Sequence, residues 1–564
     1  MTTADISSLP LEIIINAITP RLTKHDLTHC VLVNQQWNTI FTPLLWKNIS
    51  PVNSAHKGNS WMIDFHKIKW IRLFEKCVLE AGALRKNGRW IRNIDAEFCG
   101  MVDLLTGTAA GGDGECYCDG LVELKIGDDR GTKMYMVRDD EYPMSQPHDV
   151  HVASVVRLLQ HNQGQLRKLA FLGSLLSIDA QDTARMIRAI PSNVEELNVV
   201  KFTTSPLSSS ALPVELDPEL TNLKTLTFTL SSFDNLLSIL QRSPALEILV
   251  LKNLWYPARD RVPWHALVST IQEFCPRLTS LHLIDCPPYS DDEFSALLGA
   301  SARGWKTLGF PRGYDAYGHG NDAHKFGPLS TEALLKHCAT LENLRIEGCD
   351  DLPSWAIQEV LSSAPKLRRL DAISLERWRG RNVQLDAKDI VGLRDGTSLS
   401  GKDWVCLSLE SLKIQITGIP RGAAEHGPQH IQREVYKQLG RLTGLKQLVL
   451  GHEVEHPTTI YKPMPGASLE GTHPFGVPYE ERPEYRGAGY QTSCLEMTLK
   501  SGLGVLEGLK GLRKFEVGGM DVGSGVEEEV WRRENWPLLV VEEGEQRKKC
   551  VDNFWVDFGY DELY

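Results

Sequence analysis

The chain has no run of about eighteen apolar residues, and its start, MTTADISSLP, has neither the basic nor the apolar stretch of a secretory signal. Because a transmembrane helix needs about 20 apolar residues, the sequence predicts no membrane segment and no membrane partner. We therefore expect a cytoplasmic or nuclear location, or both. In such a reducing location the twelve cysteines are expected to be thiols.

The chain also has fewer cationic than anionic residues, with 61 Lys and Arg residues, 72 Asp and Glu residues and a net charge of −11. That balance argues against a nucleic-acid partner. The sequence contains no GxxxxGK[ST] phosphate loop, no GxGxxG dinucleotide motif and no GxSxG nucleophile elbow. It therefore predicts no cofactor and no catalytic residues, so the chain is not expected to be an enzyme.

One close cysteine pair, Cys116 and Cys118, lies in the segment GECYCDG. A structural zinc site takes four ligands, and no second cysteine pair stands nearby. His148 and His151 could join the pair, but isolated cysteines and histidines in loops are usually bystanders. The sequence therefore predicts no metal site.

The most regular feature is a phrase of the form apolar–x–x–apolar–x–apolar. Between residues 166 and 278 its successive starts lie 23 to 32 residues apart. Two copies also carry cysteines, Cys275 with Cys286 and Cys338 with Cys349, eleven residues apart in each pair. The phrase begins at Ile91, Leu121, Leu166, Val194, Leu223, Leu246, Leu278, Trp305, Leu341, Leu367, Leu409, Leu445 and Leu512.

This pattern resembles the cysteine-containing leucine-rich repeats typical of F-box proteins. The resemblance implies an α/β fold, a curved leucine-rich-repeat solenoid with parallel strands on its concave face and helices outside. Helices are expected between the strands, at residues 153–162, 183–190, 235–241, 264–274 and 331–337. The four repeat cysteines are expected to be buried as small apolar side chains.

Variable positions alternate with the buried ones in each strand phrase, so we expect them to line the concave face. Their mixed signs favour a protein or peptide target over a lipid. Most are expected to be solvated strand positions, because few interface residues carry the binding energy. The predicted target-binding residues are Asn198, Lys252, His282, Arg345, Glu347, Asp371, Lys413 and Gln415.

Residues 9–49, LPLEIIINAITPRLTKHDLTHCVLVNQQWNTIFTPLLWKNI, show a Leu-Pro start, two short apolar-faced helices and a Pro-Leu-Leu-Trp ending. They resemble an F-box, the all-α module that docks a protein onto the Skp-type adaptor of a cullin-based ubiquitin ligase. The alternative is that their apolar residues are only the core of a helical hairpin. The resemblance implies adaptor contacts at Leu9, Pro10, Ile14, Ile18, Leu27, Val33 and Trp37.

These features predict an F-box at 1–50, a helical linker at 51–87, a solenoid at 88–541 with a long loop at 452–493, and a tail at 542–564. The resemblance implies the substrate receptor of an SCF-type ubiquitin ligase, with a Skp-type adaptor, a cullin and a protein target as partners. Two alternatives are a leucine-rich-repeat scaffold that forms no active ligase, and a regulator similar to small-GTPase activators. The latter needs an arginine that reaches a nucleotide, and no position is marked for one.

Overall fold

The computed structural model describes residues 10–49, 82–96, 99–107, 115–127, 152–172, 180–200, 218–229, 233–252, 254, 263–284, 286, 289–311, 326–347, 349, 351–373, 383–393, 401–419, 428–451, 495–517 and 526–539. The predicted linker up to residue 81, loop 452–493 and tail 542–564 lie outside these residues.

The described chain begins with a bundle of three helical elements. The first is α1 (Leu11–Ile13), which continues as a π-helix over Ile14–Ile18 and a 3₁₀ turn over Thr19–Arg21. The second and third are α2 (Lys24–Val33) and α3 (Gln35–Trp46). Proline at position 20 cannot continue a helix, which accounts for the end of the first element.

Polar side chains fix the starts of α2 and α3. Thr23 and Asp26 form a capping box, in which each side chain bonds the other residue's backbone N–H. Asn34 ends α2, and its side chain accepts a hydrogen bond from the Trp37 backbone N–H at 2.8 Å. A single residue therefore separates the two helices and sets a sharp turn between them.

Among the described residues, fifteen strands form one parallel sheet. The strands follow chain order from β1 to β15, except that β12 lies off the path and pairs with β13. They are β1 (Asn48–Ile49), β2 (Asn93–Ala96), β3 (Glu123–Gly127), β4 (Lys168–Leu172), β5 (Glu196–Val200), β6 (Thr225–Thr229), β7 (Ile248–Lys252), β8 (Ser280–Ile284), β9 (Thr307–Gly309), β10 (Asn343–Arg345), β11 (Arg369–Asp371), β12 (Gln384–Asp386), β13 (Ser411–Thr417), β14 (Gln447–Leu450) and β15 (Lys514–Val517).

Helices connect the strands and lie against one face of the sheet. Their apolar side chains pack against the apolar side chains of that face. The strand leucines and the helix apolar residues belong to one continuous core. These helices are α4 (Ala83–Asn87), α5 (Cys99–Leu105), α6 (Val152–His161), α7 (Ala180–Arg188), α8 (Phe233–Gln241), α9 (Trp264–Phe274), α10 (Asp291–Leu298), α11 (Pro328–Leu335), α12 (Ser354–Ser363), α13 (Ala387–Val391), α14 (Pro428–Gly440) and α15 (Val526–Asn535). A 3₁₀ helix over Leu503–Gly508 takes the place of a helix before β15.

The repeat phrase sets the register of the sheet. Its second apolar position pairs with the same position of the next strand all the way from Leu124 to Leu448. A slip by one residue would turn these leucines to the opposite face, so burial enforces the pairing. The predicted fold class is confirmed: the chain is an α/β leucine-rich-repeat solenoid.

The cysteines of the repeats are buried, as predicted. Cys275 and Cys338 stand before their strands, and burial raises the pKa of the two thiols to about 12 and about 11. Cys286 and Cys349 follow their strands, and their thiols donate to the carbonyl oxygens of Leu251 at 3.5 Å and Phe310 at 3.2 Å. Each thiol thus satisfies a backbone carbonyl of the preceding repeat.

The sheet begins at residue 48, before the predicted start of the solenoid at residue 88. β1 lies inside the predicted F-box segment 1–50 and pairs with β2, with Ile49 opposite Ile94. The backbone carbonyl of Lys47 accepts from the N–H groups of Arg92 and Asn93 at 2.9 and 3.0 Å. The helical bundle therefore runs directly into the first strand of the solenoid.

Candidate functional site

The N-terminal bundle buries some of the predicted adaptor-binding residues. Ile14, Leu27 and Phe41 form its core, with exposed fractions of 3%, 7% and 2%. Ile18 and Trp37 are half-buried against that core. Ile14 and Leu27 therefore hold the helices together.

Other apolar side chains of the bundle face solvent. Val33 is 59% exposed, and Pro10 is exposed as well, so both remain available for contact with another protein. Leu32 is 77% exposed, and Ile13 and Ile15 are also exposed. These last three were missed at the sequence level. Leu9 lies outside the described residues.

The face of the sheet away from the helices, here called the open face, carries the variable strand positions. Successive pairings place one residue from each strand in a central row across it. In order, the row holds Asp95, Lys125, Ala170, Asn198, Thr227, Val250, His282, Gly309, Arg345, Asp371, Lys413, Val449 and Glu516.

Charged side chains of β10, β11 and β13 converge around Asp371, which is fully buried. Arg369 Nε lies 2.6 Å from Asp371 Oδ2, Arg345 Nε lies 3.9 Å from the same oxygen, and Lys413 Nζ lies 3.8 Å from Oδ1. The Arg345 guanidinium also donates to both carboxylate oxygens of Glu347 at 3.2 Å. These five residues are called the ion cluster below.

The ion cluster carries three cations and two carboxylates, so its net charge is positive. Within the described residues, Asp371 Oδ1 and Arg345 Nε lack a hydrogen-bond partner. A buried carboxylate needs compensating charge, and here the two nearest cations on neighbouring strands stand beyond hydrogen-bond distance. Burial raises the pKa of the Glu347 carboxyl, with the Asp371 charge adding to the shift and the Arg345 charge opposing it.

His282 extends the ion cluster toward β8. The residue between it and Arg345 in the central row is Gly309, and a Cβ there would meet His282 Nδ1 at 2.4 Å. Glycine therefore leaves room for the imidazole beside β9. Burial, and then the charges of Arg345 and Lys252, lower the pKa of His282 to about 4.

The eight predicted target-binding residues divide by accessibility. Asn198, Lys252, His282 and Arg345 are half-buried and reach the open face. The other four are buried and cannot contact a target in this conformation. They are Glu347, Asp371, Lys413 and Gln415. Gln415 is set apart from the central row, since its strand partner is Gln384 of β12.

Arg369 was missed at the sequence level although its side chain is 45% exposed and binds Asp371. It occupies the second variable position of its strand phrase, LRRLDA, whereas the predicted residues came only from later positions. Side chains alternate along a strand, so Arg369 and Asp371 lie on the same face. This alternation could have predicted Arg369 from the sequence.

A shallow open hollow of about 590 Å³ lies elsewhere, where the chain enters β10, β11, β13 and β14. Glu410 lies at its wall, held by Arg368 and by Lys446, whose Nζ is 2.6 Å away. Exposed ion pairs of this kind contribute little to the stability of the fold. The hollow is lined by Glu342, Pro365, Lys366, Arg368, Ser408, Glu410, Gly444 and Lys446.

The close cysteine pair gathers no further metal ligands within the part of the chain that the structure describes. Cys118 is fully buried and the thiol of Cys116 donates to its carbonyl oxygen at 3.7 Å. Burial raises the pKa of both thiols. His148 and His151 lie outside the described residues. Among the described helices, none has the length and apolar character to cross a membrane.

Comparison with known proteins finds no matching family model and no matching curated protein. Solved structures similar to this chain include the leucine-rich-repeat-containing protein LegL7 of Legionella pneumophila, at 14% identity and a TM-score of 0.30 over 64% of this chain and 90% of that one. A leucine-rich-repeat protein of Leptospira interrogans matches at 13% identity and a TM-score of 0.30, covering 81% and 97%.

A chain from the yeast Rad7–Elc1 complex matches at 12% identity and a TM-score of 0.31, covering 60% of this chain and 73% of that one. Similarity at this level adds nothing to the fold that the strand register establishes. The repeats and their strand register by themselves give the chain its leucine-rich-repeat solenoid fold.

Proposed function

We propose that this chain is the substrate receptor of an SCF-type ubiquitin ligase. Its N-terminal bundle would bind a Skp-type adaptor, and through it a cullin, while the open face of the sheet binds the target protein. The observation that carries the proposal is the F-box-like helical bundle, with solvent-exposed apolar side chains, joined directly to a leucine-rich-repeat sheet. Four of the twelve exposed large apolar side chains of the described residues belong to this small bundle.

Such a receptor needs no catalytic residues of its own. Holding the target beside a charged ubiquitin carrier raises the effective concentration of target lysines, and the transfer chemistry belongs to the partner subunits. We accordingly propose the cytoplasmic or nuclear location that the sequence predicts.

Adaptor binding is tested with the double substitution Leu32→Ser and Val33→Ser. Both side chains are more than half exposed, so the bundle is expected to stay folded. Burial of an apolar side chain of this size contributes about 1.5–3 kcal/mol, so affinity for the Skp-type adaptor should fall at least about tenfold.

The matched control is Val526→Ser with Leu538→Ser, which removes two equally exposed apolar side chains near the other end of the sheet. Affinity is measured by titration of the purified adaptor into each protein, with circular dichroism to verify folding. Failure of the unsubstituted protein to bind the adaptor would refute the receptor proposal.

Target binding is proposed for the half-buried residues around the ion cluster. The positive net charge of the cluster and the half-exposed Arg369 favour an acidic segment of the target. Substituting Arg345→Gln and Arg369→Gln should lower ubiquitylation of a co-purifying target in a reconstituted ligase. Lys168→Gln, a half-exposed cation on β4 of the same face, is the control.

Ubiquitylation also separates the ligase receptor from a scaffold. A scaffold would bind the adaptor and its target yet give no modified target in the reconstituted reaction. Equal ubiquitylation with the arginine variants and with Lys168→Gln would show that the ion cluster is not part of the target-binding surface.

A further inference from the structure

Two histidines face each other on the solvent side of α2. His25 and His29 are four residues apart, a spacing that places side chains one above the other on a helix. Their Nε2 atoms are 3.3 Å apart, the ring centroids are 4.4 Å apart, and both side chains are exposed. Neither residue belongs to the bundle core or to the proposed adaptor contacts.

The separation of the two Nε2 atoms matches that of two ligands on one metal ion. Zinc–nitrogen bonds of about 2.0–2.1 Å that meet at a tetrahedral angle place the nitrogens about 3.3–3.4 Å apart. The two Nε2 atoms therefore already stand at the separation that a shared metal requires. Without a metal, the same contact is a hydrogen bond in which one ring donates and the other accepts.

Asp26 supplies negative charge beside the two rings. Its Oδ2 accepts hydrogen bonds from the Thr23 backbone N–H at 2.8 Å and the Thr23 hydroxyl at 2.7 Å. The carboxylate is committed to the helix cap, but its charge offsets the positive end of the helix dipole and favours a nearby cation.

We infer that His25 and His29 form a two-histidine chelate for a divalent metal ion of zinc or nickel type, with the remaining coordination positions taken by water. Imidazole nitrogen suits these ions, and two histidines at this helical spacing are a recognised metal-binding pair. A metal bridging one turn binds only the folded helix, so it stabilises α2. The inference does not depend on the proposed ligase function.

The experiment measures hydrogen exchange of the α2 backbone amides in the full chain, with and without micromolar ZnCl₂. Zinc should slow exchange across Lys24–Val33 by about tenfold or more in the unsubstituted protein. In His29→Gln and in His25→Gln, zinc should leave the exchange of these amides unchanged. His161→Gln, which removes an exposed histidine at the end of α6, is the matched control and should respond like the unsubstituted protein.

Calorimetric titration with ZnCl₂ provides a second measurement, because other histidines and thiols of the chain also bind zinc. Each α2 histidine variant should lose one site relative to His161→Gln. If a variant exchanges faster before zinc is added, the lost site in the titration still tests the inference. Equal zinc protection of α2 in all four proteins, or equal numbers of sites, would overturn it.

Discussion

At the residue scale, His282 shows how neighbouring strands set the properties of a side chain. Gly309 leaves space for its ring on one side, and Arg345 and Lys252 place positive charge near it. Burial and those charges both disfavour the imidazolium ion, and they lower the pKa of His282 to about 4. The histidine is therefore neutral at neutral pH and offers the open face a hydrogen-bond donor and an acceptor.

The first prediction concerns the pH dependence of stability. The unfolded chain binds a proton at His282 below an ordinary pKa of about 6.5, whereas the folded chain binds it only near 4. Stability from this residue is therefore complete above pH 6.5 and is lost as the pH falls toward 4. The loss amounts to roughly 2–3 kcal/mol, and His282→Gln should remove it.

Guanidinium unfolding at pH 7 and pH 5 checks the prediction by comparing the change in unfolding free energy in the two proteins. Because only the change in unfolding free energy between the two pH values is compared, any pH-independent effect of the substitution on packing cancels. A titration of the His282 ring near its ordinary pKa by NMR would contradict the prediction.

At the element scale, the N-terminal bundle divides three consecutive isoleucines between different environments. Ile14 is 3% exposed, while Ile13 is 45% and Ile15 is 38% exposed. The middle residue packs with Leu27 and Phe41, whereas its two neighbours lie on other sides of the helical turn. The small core leaves the bundle dependent on few contacts, in keeping with its size.

The second prediction follows from that small core. Phe41→Ala removes a side chain that is 2% exposed and contacts the Trp37 ring at a centroid distance of 5.4 Å. Such a change costs about 3–5 kcal/mol, so α2 and α3 should open locally while the solenoid stays folded. Hydrogen exchange should accelerate in residues 24–46 and remain unchanged in β5 to β8.

Leu32→Ala is the matched control for Phe41→Ala. Its side chain is 77% exposed, so its effect on bundle stability should stay within about 0.5 kcal/mol. Similar acceleration in both variants, or acceleration that spreads through the sheet, would contradict the separation of the two cores.

At the scale of the whole molecule, stability is distributed along one dimension. Each strand from β2 to β10 pairs with its two neighbours in the chain, and the helices between them bury one continuous core. Repeat arrays of this kind gain stability from each repeat and from each contact between neighbours. Their ends need a cap, which the described C-terminal residues supply through Trp536, Trp531 and Phe515.

The third prediction concerns that cap. Trp536 is 1% exposed, its indole N–H donates to the Leu506 carbonyl at 3.1 Å, and its ring lies 4.9 Å from Phe515 and 5.2 Å from Trp531. Trp536→Ala should cost about 3–5 kcal/mol in local stability. Fraying should be confined to α15, β15 and β14, because each repeat contacts only its neighbours.

Regional hydrogen exchange measures the extent of fraying. The comparison variant is Trp305→Ala, which removes a fully buried tryptophan in the middle of the stack. That variant should affect the strands on both sides of β9. Equal acceleration at all strands in Trp536→Ala would indicate that the sheet unfolds as a single unit.

The candidate site could be predicted only in part. Alternation along the strands correctly placed His282 and Arg345 on the open face, since that rule is local. The burial of Asp371 and the role of Arg369 could not be read in the same way. Both depend on cations and carboxylates brought together from strands about 25 to 70 residues apart in the chain.

The sequence alone determined the repeat architecture, because each phrase must bury apolar residues with a period that only one strand register satisfies. It likewise determined the burial of the repeat cysteines. Only the tertiary structure decided which isoleucine entered the bundle core, where the sheet began, and how the ion cluster was assembled. Those outcomes depend on contacts between side chains of separate elements, and a local sequence pattern does not predict such contacts.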